Sequence, residues 1–296
     1  MADNPNQIVS LSDSEKTSVV EKKVTCPFVG SAIAQGHLAV RNEAGNPLAG
    51  IEDIRTLGNS GGGDLGDLLV LFAKGNHALM RGPDGRLNAP APANLFSLEL
   101  PGSQGSHPGH SGILQGNPEA LDSGRFSQTD FERLLGHASD GVIKRSDVGR
   151  FIAENLLRDP KSKVVDLNTA ELLAGDVLNL VETAGSALAN KLFGTDKSTG
   201  STHRNVEEKL TKLTGENNLV GSAGEFGLLF AFLANKPGAK KVHGEPAVEV
   251  ADLKTMFVDK RLPQGWETWK KSRLDWVTNT TGLLVSAAKE YRKLKG

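Results

Sequence analysis

Residues 220–234 carry a single charge, Glu225, and are apolar on nearly every side of a helix. A helix that is hydrophobic all round has to be enclosed by the rest of the chain. With 296 residues, 38% of them hydrophobic, there is enough chain to enclose it. The one carboxylate stands near the head of this helix. Desolvation there disfavours its charged form, raises its pKa and suits it to general acid–base work. The same residue, in a first turn at the surface, would only complement the helix dipole.

The only cysteine makes the second constraint. Cys26 precedes Pro27, Phe28 and an apolar run that ends at Gly36. Proline is favoured at the first helical position, so the spacing predicts a short helix over 27–35 with Cys26 at its N-cap. The positive end of the dipole favours a thiolate at that point. A cysteine so placed is a nucleophile, a metal ligand or a small buried hydrophobe. One cysteine makes no internal disulfide.

Charge and hydropathy exclude several classes. The net charge of -1 argues against nucleic acid or an anionic membrane as partner. The best apolar stretch, 226–233, is far short of the roughly 18 residues of a membrane span. Residues 1–24 are polar and lack an apolar signal core, so the expectation is no signal peptide and a cytoplasmic location.

Helical signals dominate the remainder. They predict an all-α fold: a single compact multi-helix domain over 25–296, with long loops and at most a minor β element, behind a flexible arm over 1–24. Helices are expected over 64–73, from Ser127, from Ser146, from Asn168 to 192, and over 205–213, 220–234, 250–258 and 266–294. Ser and Asn caps with acids in the first turn mark several of these starts. Trp266, Trp269 and Trp276 would anchor the last helix. Strand signals are confined to 8–11 and 95–100. The glycine run at 60–63 lacks the Lys-Ser/Thr of a phosphate loop. Loops ending at Asp130 and Asp147 echo paired EF-hands, but Gly136 and Ala138 fall where oxygen ligands are needed. Residues 81–115 read as a long loop. It contains His107, His110 and Ser111, which could hydrogen-bond a ligand, hold a metal or simply be solvated.

Cys26-Pro27, the apolar helix and Gly36-His37-Leu38 resemble the proximal segment of the heme-thiolate peroxidases, the chloroperoxidase and unspecific peroxygenase family. A second match lies in Glu225, the run to Leu233, Phe257 and Arg261-Leu262-Pro263, similar to the family's distal glutamate and the turn that follows it. Thr25 replaces the first proline of the family's Pro-Cys-Pro. No arginine precedes Glu225 by one or two turns. At the family's Glu-His-Asp-x-Ser motif only Ser111 matches, beside His107 and His110.

The resemblance implies heme b with Cys26 as axial iron ligand and Pro27 and Phe28 beside it. It implies Glu225 as the acid–base, and a Mg or Mn ion near propionates held by His107, His110 and Ser111. Phe28, Phe72, Phe226 and Phe230 would wall the site. Hydrogen peroxide and a small hydrophobic molecule would be the substrates of a peroxidase or peroxygenase. Two other readings stand beside it: a non-catalytic heme sensor or carrier, and a heme-free helical binding protein.

Overall fold

The apolar run forms a helix, Leu219–Leu233, and the remaining elements close around it. The computed structural model describes residues 12–22, 24, 26–76, 79–99, 127–158 and 219–296. In chain order, α1 (Asp13–Lys22) leads to α2 (Pro27–Ala34). The hairpin β1 (Val40–Glu43) and β2 (Asn46–Gly50) then runs straight into α3 (Ile51–Gly58). A 3-10 turn, Ser60–Gly62, precedes α4 (Gly66–Asn76), the hairpin β3 (Leu79–Arg81) and β4 (Leu87–Pro90), and β5 (Leu95–Ser97). Next come α5 (Gln128–Leu135), β6 (Val142–Lys144) and α6 (Arg145–Arg158). The apolar helix is α7, followed by β7 (Lys241–Val242), β8 (Glu245–Glu249), α8 (Val250–Phe257), a 3-10 turn Trp266–Thr268, and α9 (Arg273–Lys295). Helix α9 packs along both α6 and α7.

The expectation of an all-α chain is overturned. Among the described residues eight strands form three small antiparallel sheets, so the class is mixed α and β. The strands are two to five residues long and rich in Gly, Pro and charge, which hid them from a reading based on periodicity. Their turns hold them. Ala44 and Gly45 have φ of 49° and 80°, and His243 and Gly244 have 53° and 80°. Positive φ at both central residues is the type I′ geometry that matches strand twist, and glycine occupies the second place at no steric cost.

The two hairpins belong to a duplicated unit. The boundaries 34, 46, 50, 51 and 58 in the first copy reappear at 233, 245, 249, 250 and 257, each displaced by 199 residues. The left-handed turn residues fall at the same displacement. So do Gly45 and Gly244, Pro47 and Pro246, Asp53 and Asp252, and Thr56 and Thr255. Each hairpin accepts a third strand on the same side: β1-β2-β5 in one sheet, β7-β8-β6 in the other. Ala49 pairs with Phe96, and its counterpart Val248 pairs with Ile143. Ile51 N–H donates to Asn94 O at 3.0 Å, and Val250 N–H to Gly141 O at 2.9 Å. The EF-hand echo thus marks one half of a strand-paired lobe.

Two further expectations change. The last helix does not begin at Trp266. Ser272 accepts the Leu274 N–H at 3.1 Å and caps α9 there, leaving Trp266 and Trp269 in the preceding turn. The run read as loop from residue 81 holds β4 and β5, with β3 ending at its first residue. In the segment 1–24, α1 packs against α2 and buries Val20. His107, His110, Ser111, the helices over 168–192 and 205–213, and the strand over 8–11 lie outside the described residues.

Candidate functional site

Cys26 is the N-cap of α2 and Pro27 its first residue, as the spacing predicts. The thiol closes no capping hydrogen bond. The Val29 and Phe28 N–H groups act on it as oriented dipoles. Burial dominates and pushes the thiol pKa up to about 11, with the charge of Glu225 adding to the rise. The Val29 and Phe28 dipoles and the Lys260 ammonium oppose it.

Glu225 lies on α7, and Cys26 lies within electrostatic reach of it. The two residues are separated by the same 199 positions that relate the two copies, so they are counterparts on equivalent helices. Burial raises the Glu225 pKa well above its ordinary value, and Oε2 is shielded from solvent. This is the desolvated carboxyl the sequence suggests, and the alternative of a surface carboxylate on a helix dipole does not hold. A raised folded pKa means the folded state holds the proton longer than the unfolded chain. Stability therefore falls as pH climbs from about 4.5 through the raised folded value. Glu225→Gln is expected to remove this slope, leaving stability similar to wild type at pH 4 and higher at pH 8. Denaturant melts at the two pH values check it; parallel curves for both proteins would contradict the burial.

The apolar wall differs from expectation. Phe28 is buried and stacks on Phe232 with centroids 4.3 Å apart. Trp266 meets Phe28 edge-on at 5.7 Å, and His37 meets Trp266 at 5.6 Å. Phe226 instead packs edge-on to Phe151 of α6 at 6.2 Å, so it serves the core on that side. Phe230 is fully buried, and the side chain of Phe72 lies outside the described residues.

Three residues near the site gain no role in it from sequence, which reads Trp266 only as an anchor of the last helix. Lys260 reaches Cys26 electrostatically. Trp266 covers Phe28. Lys271, fully buried, holds Trp266 from behind: its Nζ donates to Trp266 O at 2.7 Å, Trp269 O at 2.9 Å and Ser60 Oγ at 2.7 Å. The glycine run faces this cluster. A Cβ on Gly61 would lie 2.3 Å from Trp269 O, and one on Gly63 would lie 2.3 Å from Lys271 O. These glycines permit close backbone approach, which is a packing role.

Among the described residues no three His, Cys, Asp or Glu side chains gather to hold a metal ion. The donor set is one soft sulfur beside two backbone N–H dipoles, with the charge of a buried carboxyl within reach. Such a set fits an iron already held by a macrocycle, which needs one protein thiolate. Metal coordination would also supply the driving force for deprotonation that a buried thiol lacks. No family model, curated protein or solved structure matches the chain. None of the described helices is long and apolar enough to cross a membrane.

Proposed function

We propose that the protein is a heme-thiolate peroxidase or peroxygenase that uses hydrogen peroxide to oxidise small apolar molecules. The observation that carries this reading is that Cys26 and Glu225, at equivalent positions of the two copies, lie within electrostatic reach, one a thiol at a helix N-cap and the other a desolvated carboxyl. Heme, when bound, would supply an iron centre made electron-rich by the Cys26 thiolate, which favours O–O cleavage.

The chain's own residues supply the rest. The Val29 and Phe28 N–H dipoles stabilise negative charge on the sulfur. Phe28, two residues on, stacks on Phe232 and meets Trp266 edge-on, which makes the first turn of α2 an apolar surrounding. The Glu225 carboxylate accepts the proton from one oxygen of hydrogen peroxide and returns it to the other. Protonated in this way, the far oxygen would depart as water, a better leaving group than hydroxide, when the O–O bond breaks; heme, when bound, would take up the other oxygen. Burial raises the pKa of this carboxyl, which makes it a stronger proton acceptor than an exposed glutamate.

The test is an absorption spectrum of the purified protein with hemin, oxidised and then reduced under carbon monoxide. A Soret band that moves strongly to the red under carbon monoxide is expected. Glu225→Gln should keep that band and lose peroxide turnover by about 100-fold or more. Absence of a Soret band after hemin addition would overturn the proposal in favour of a heme-free binding protein. A stable band with no peroxide reactivity in wild type would favour a sensor or carrier.

A further inference from the structure

The lobe built on β6 and β8 has the topology of a paired EF-hand. Helix α5, a loop, β6 and α6 form one unit; α7, a loop containing β7, β8 and α8 form the other. Strands β6 and β8 pair antiparallel with Ile143 opposite Val248. The first loop has EF-hand length. Residues 136–147 make twelve positions, with Gly141 at the sixth, where its φ of 74° supplies the sharp turn. Asp147 stands at the twelfth, the place of the EF-hand's bidentate acid. The second loop is longer, but Asp252 stands four residues after Val248, as Asp147 stands four after Ile143. The closing acids are kept, while Gly136 and Ala138 hold the early ligand positions without side-chain oxygen.

Both acids meet a lysine. Lys236, just past the end of α7, donates from Nζ to Asp252 Oδ2 at 2.6 Å and to Glu249 Oε2 at 2.7 Å. Lys236 is half-buried and Asp252 is buried. The hydrogen bond from Lys236 holds the Glu249 carboxyl below its ordinary range. In the first loop Asp147 Oδ2 accepts the Lys144 N–H at 2.9 Å, and Oδ1 lies 3.5 Å from Lys144 Nζ. Lys236 makes the closer contacts and the longer span. It joins the start of its loop to the closing acid 16 positions on. That is the link a bound calcium ion makes in an EF-hand, and it is not the link of a helix-surface pair three or four residues apart.

We propose that Lys236 is the built-in cation of this lobe: its ammonium takes the place of a dissociable divalent ion, and the lobe keeps its arrangement without calcium. The proposal is independent of Cys26 and of heme. It accounts for a loop that retains Glu249 and Asp252 side by side although the other unit has lost its early oxygen ligands. An ammonium with three donors is satisfied by two carboxylates, whereas a calcium ion needs six to eight oxygens. In calcium sensors the ion sets the angle between the helices of a unit. Here α6 and α7, one from each unit, are the helices along which α9 packs, so a covalently held charge fixes the lobe that supports α9.

The experiment follows thermal unfolding of the full chain without hemin. Lys236→Ala removes the charge and leaves room for an ion; Lys236→Met removes the charge and fills the room. Both should melt about 5 °C below wild type, because two carboxylates are left facing each other. Calcium chloride at about 10 mM should raise the Tm of Lys236→Ala by about 2 °C or more over sodium chloride of equal ionic strength. A two-carboxylate site binds at the weak, roughly millimolar end of the EF-hand range, which sets that size. Wild type and Lys236→Met should not respond, and adding Asp252→Asn to Lys236→Ala should abolish the response. If Lys236→Ala does not fold in sodium chloride, a melting transition regained in calcium meets the same expectation. A Lys236→Ala chain that melts with wild type, or that calcium does not stabilise, would overturn the proposal. So would an equal calcium response in wild type, or one that survives Asp252→Asn.

Discussion

Cys26→Ala is expected to abolish the carbon monoxide band that moves strongly to the red, while the chain stays folded. The two halves of that expectation come from separate observations. The sulfur is the only thiol in the chain, so no second thiolate can replace it as an axial ligand. It closes no capping hydrogen bond to α2, so its removal takes away packing rather than a cap. Helix α2 keeps Pro27 at its first position and buries Phe28, Val29, Ala32 and Ile33. Truncation of one half-buried thiol should then cost about 1 kcal/mol. A structural cysteine would give the opposite pattern: a clear loss of stability with hemin binding unaltered. Retention of the red-moving band in Cys26→Ala would remove Cys26 from the ligand position.

The sequence made some of this legible and concealed the rest for physical reasons. Helix α7 could be read because its composition leaves it no solvent-facing side. The start of α2 could be read because Cys26-Pro27 carries a cap and a first-turn proline together. Ser127 also caps its helix, accepting the Asp130 N–H at 3.2 Å. The hairpins escaped notice because their order comes from turn geometry and pairing rather than from alternation. In β2, all five residues are buried, so no period of two remains to detect. The signals that mark them are local: a glycine after Ala44, after Asp140 and after His243, each pair with positive φ.

The duplication was the larger omission. Few residues are identical between the aligned units, among them Ala32 and Ala231, Gly45 and Gly244, Pro47 and Pro246, Asp53 and Asp252, and Thr56 and Thr255, with Ile51 and Val250, Ile54 and Leu253, and Arg55 and Lys254 exchanged conservatively. A spacing of 199 is far longer than the repeat of a solenoid, where such searches begin. Once the units are superposed in sequence, the site reads as one junction used twice. The first copy places a thiol at the N-cap of its helix, the second a carboxyl within the corresponding helix.

Lys271→Met is expected to cost about 3 kcal/mol, the largest stability loss of any conservative-length change near the site. The side chain is 0% exposed, and its Nζ meets three oxygens at 2.7 to 2.9 Å. It also lies 4.6 Å from the centroid of the Trp266 ring. Burial alone pushes its pKa down to about 8, with Glu267 opposing the shift. The oxygens favour the ammonium, and two of them are carbonyls with few alternatives inside the protein. Methionine fills similar space but donates nothing, so Trp266 O, Trp269 O and Ser60 Oγ would lose a charged donor while still buried. Arginine should not rescue the loss, because a planar fork cannot occupy a site shaped around one nitrogen. Thermal melts would register a fall in Tm of about 6 °C or more for a chain of this size. The damage should extend to the site. Lys271 holds the Ser60–Gly62 turn against the Trp266–Thr268 turn, and Trp266 packs edge-on against Phe28, two residues from Cys26. Cys26 alkylation should therefore quicken in Lys271→Met as water gains access. A loss of stability under 1 kcal/mol, with alkylation unaltered, would show that this buried ammonium neither locks the turn nor shields the thiol.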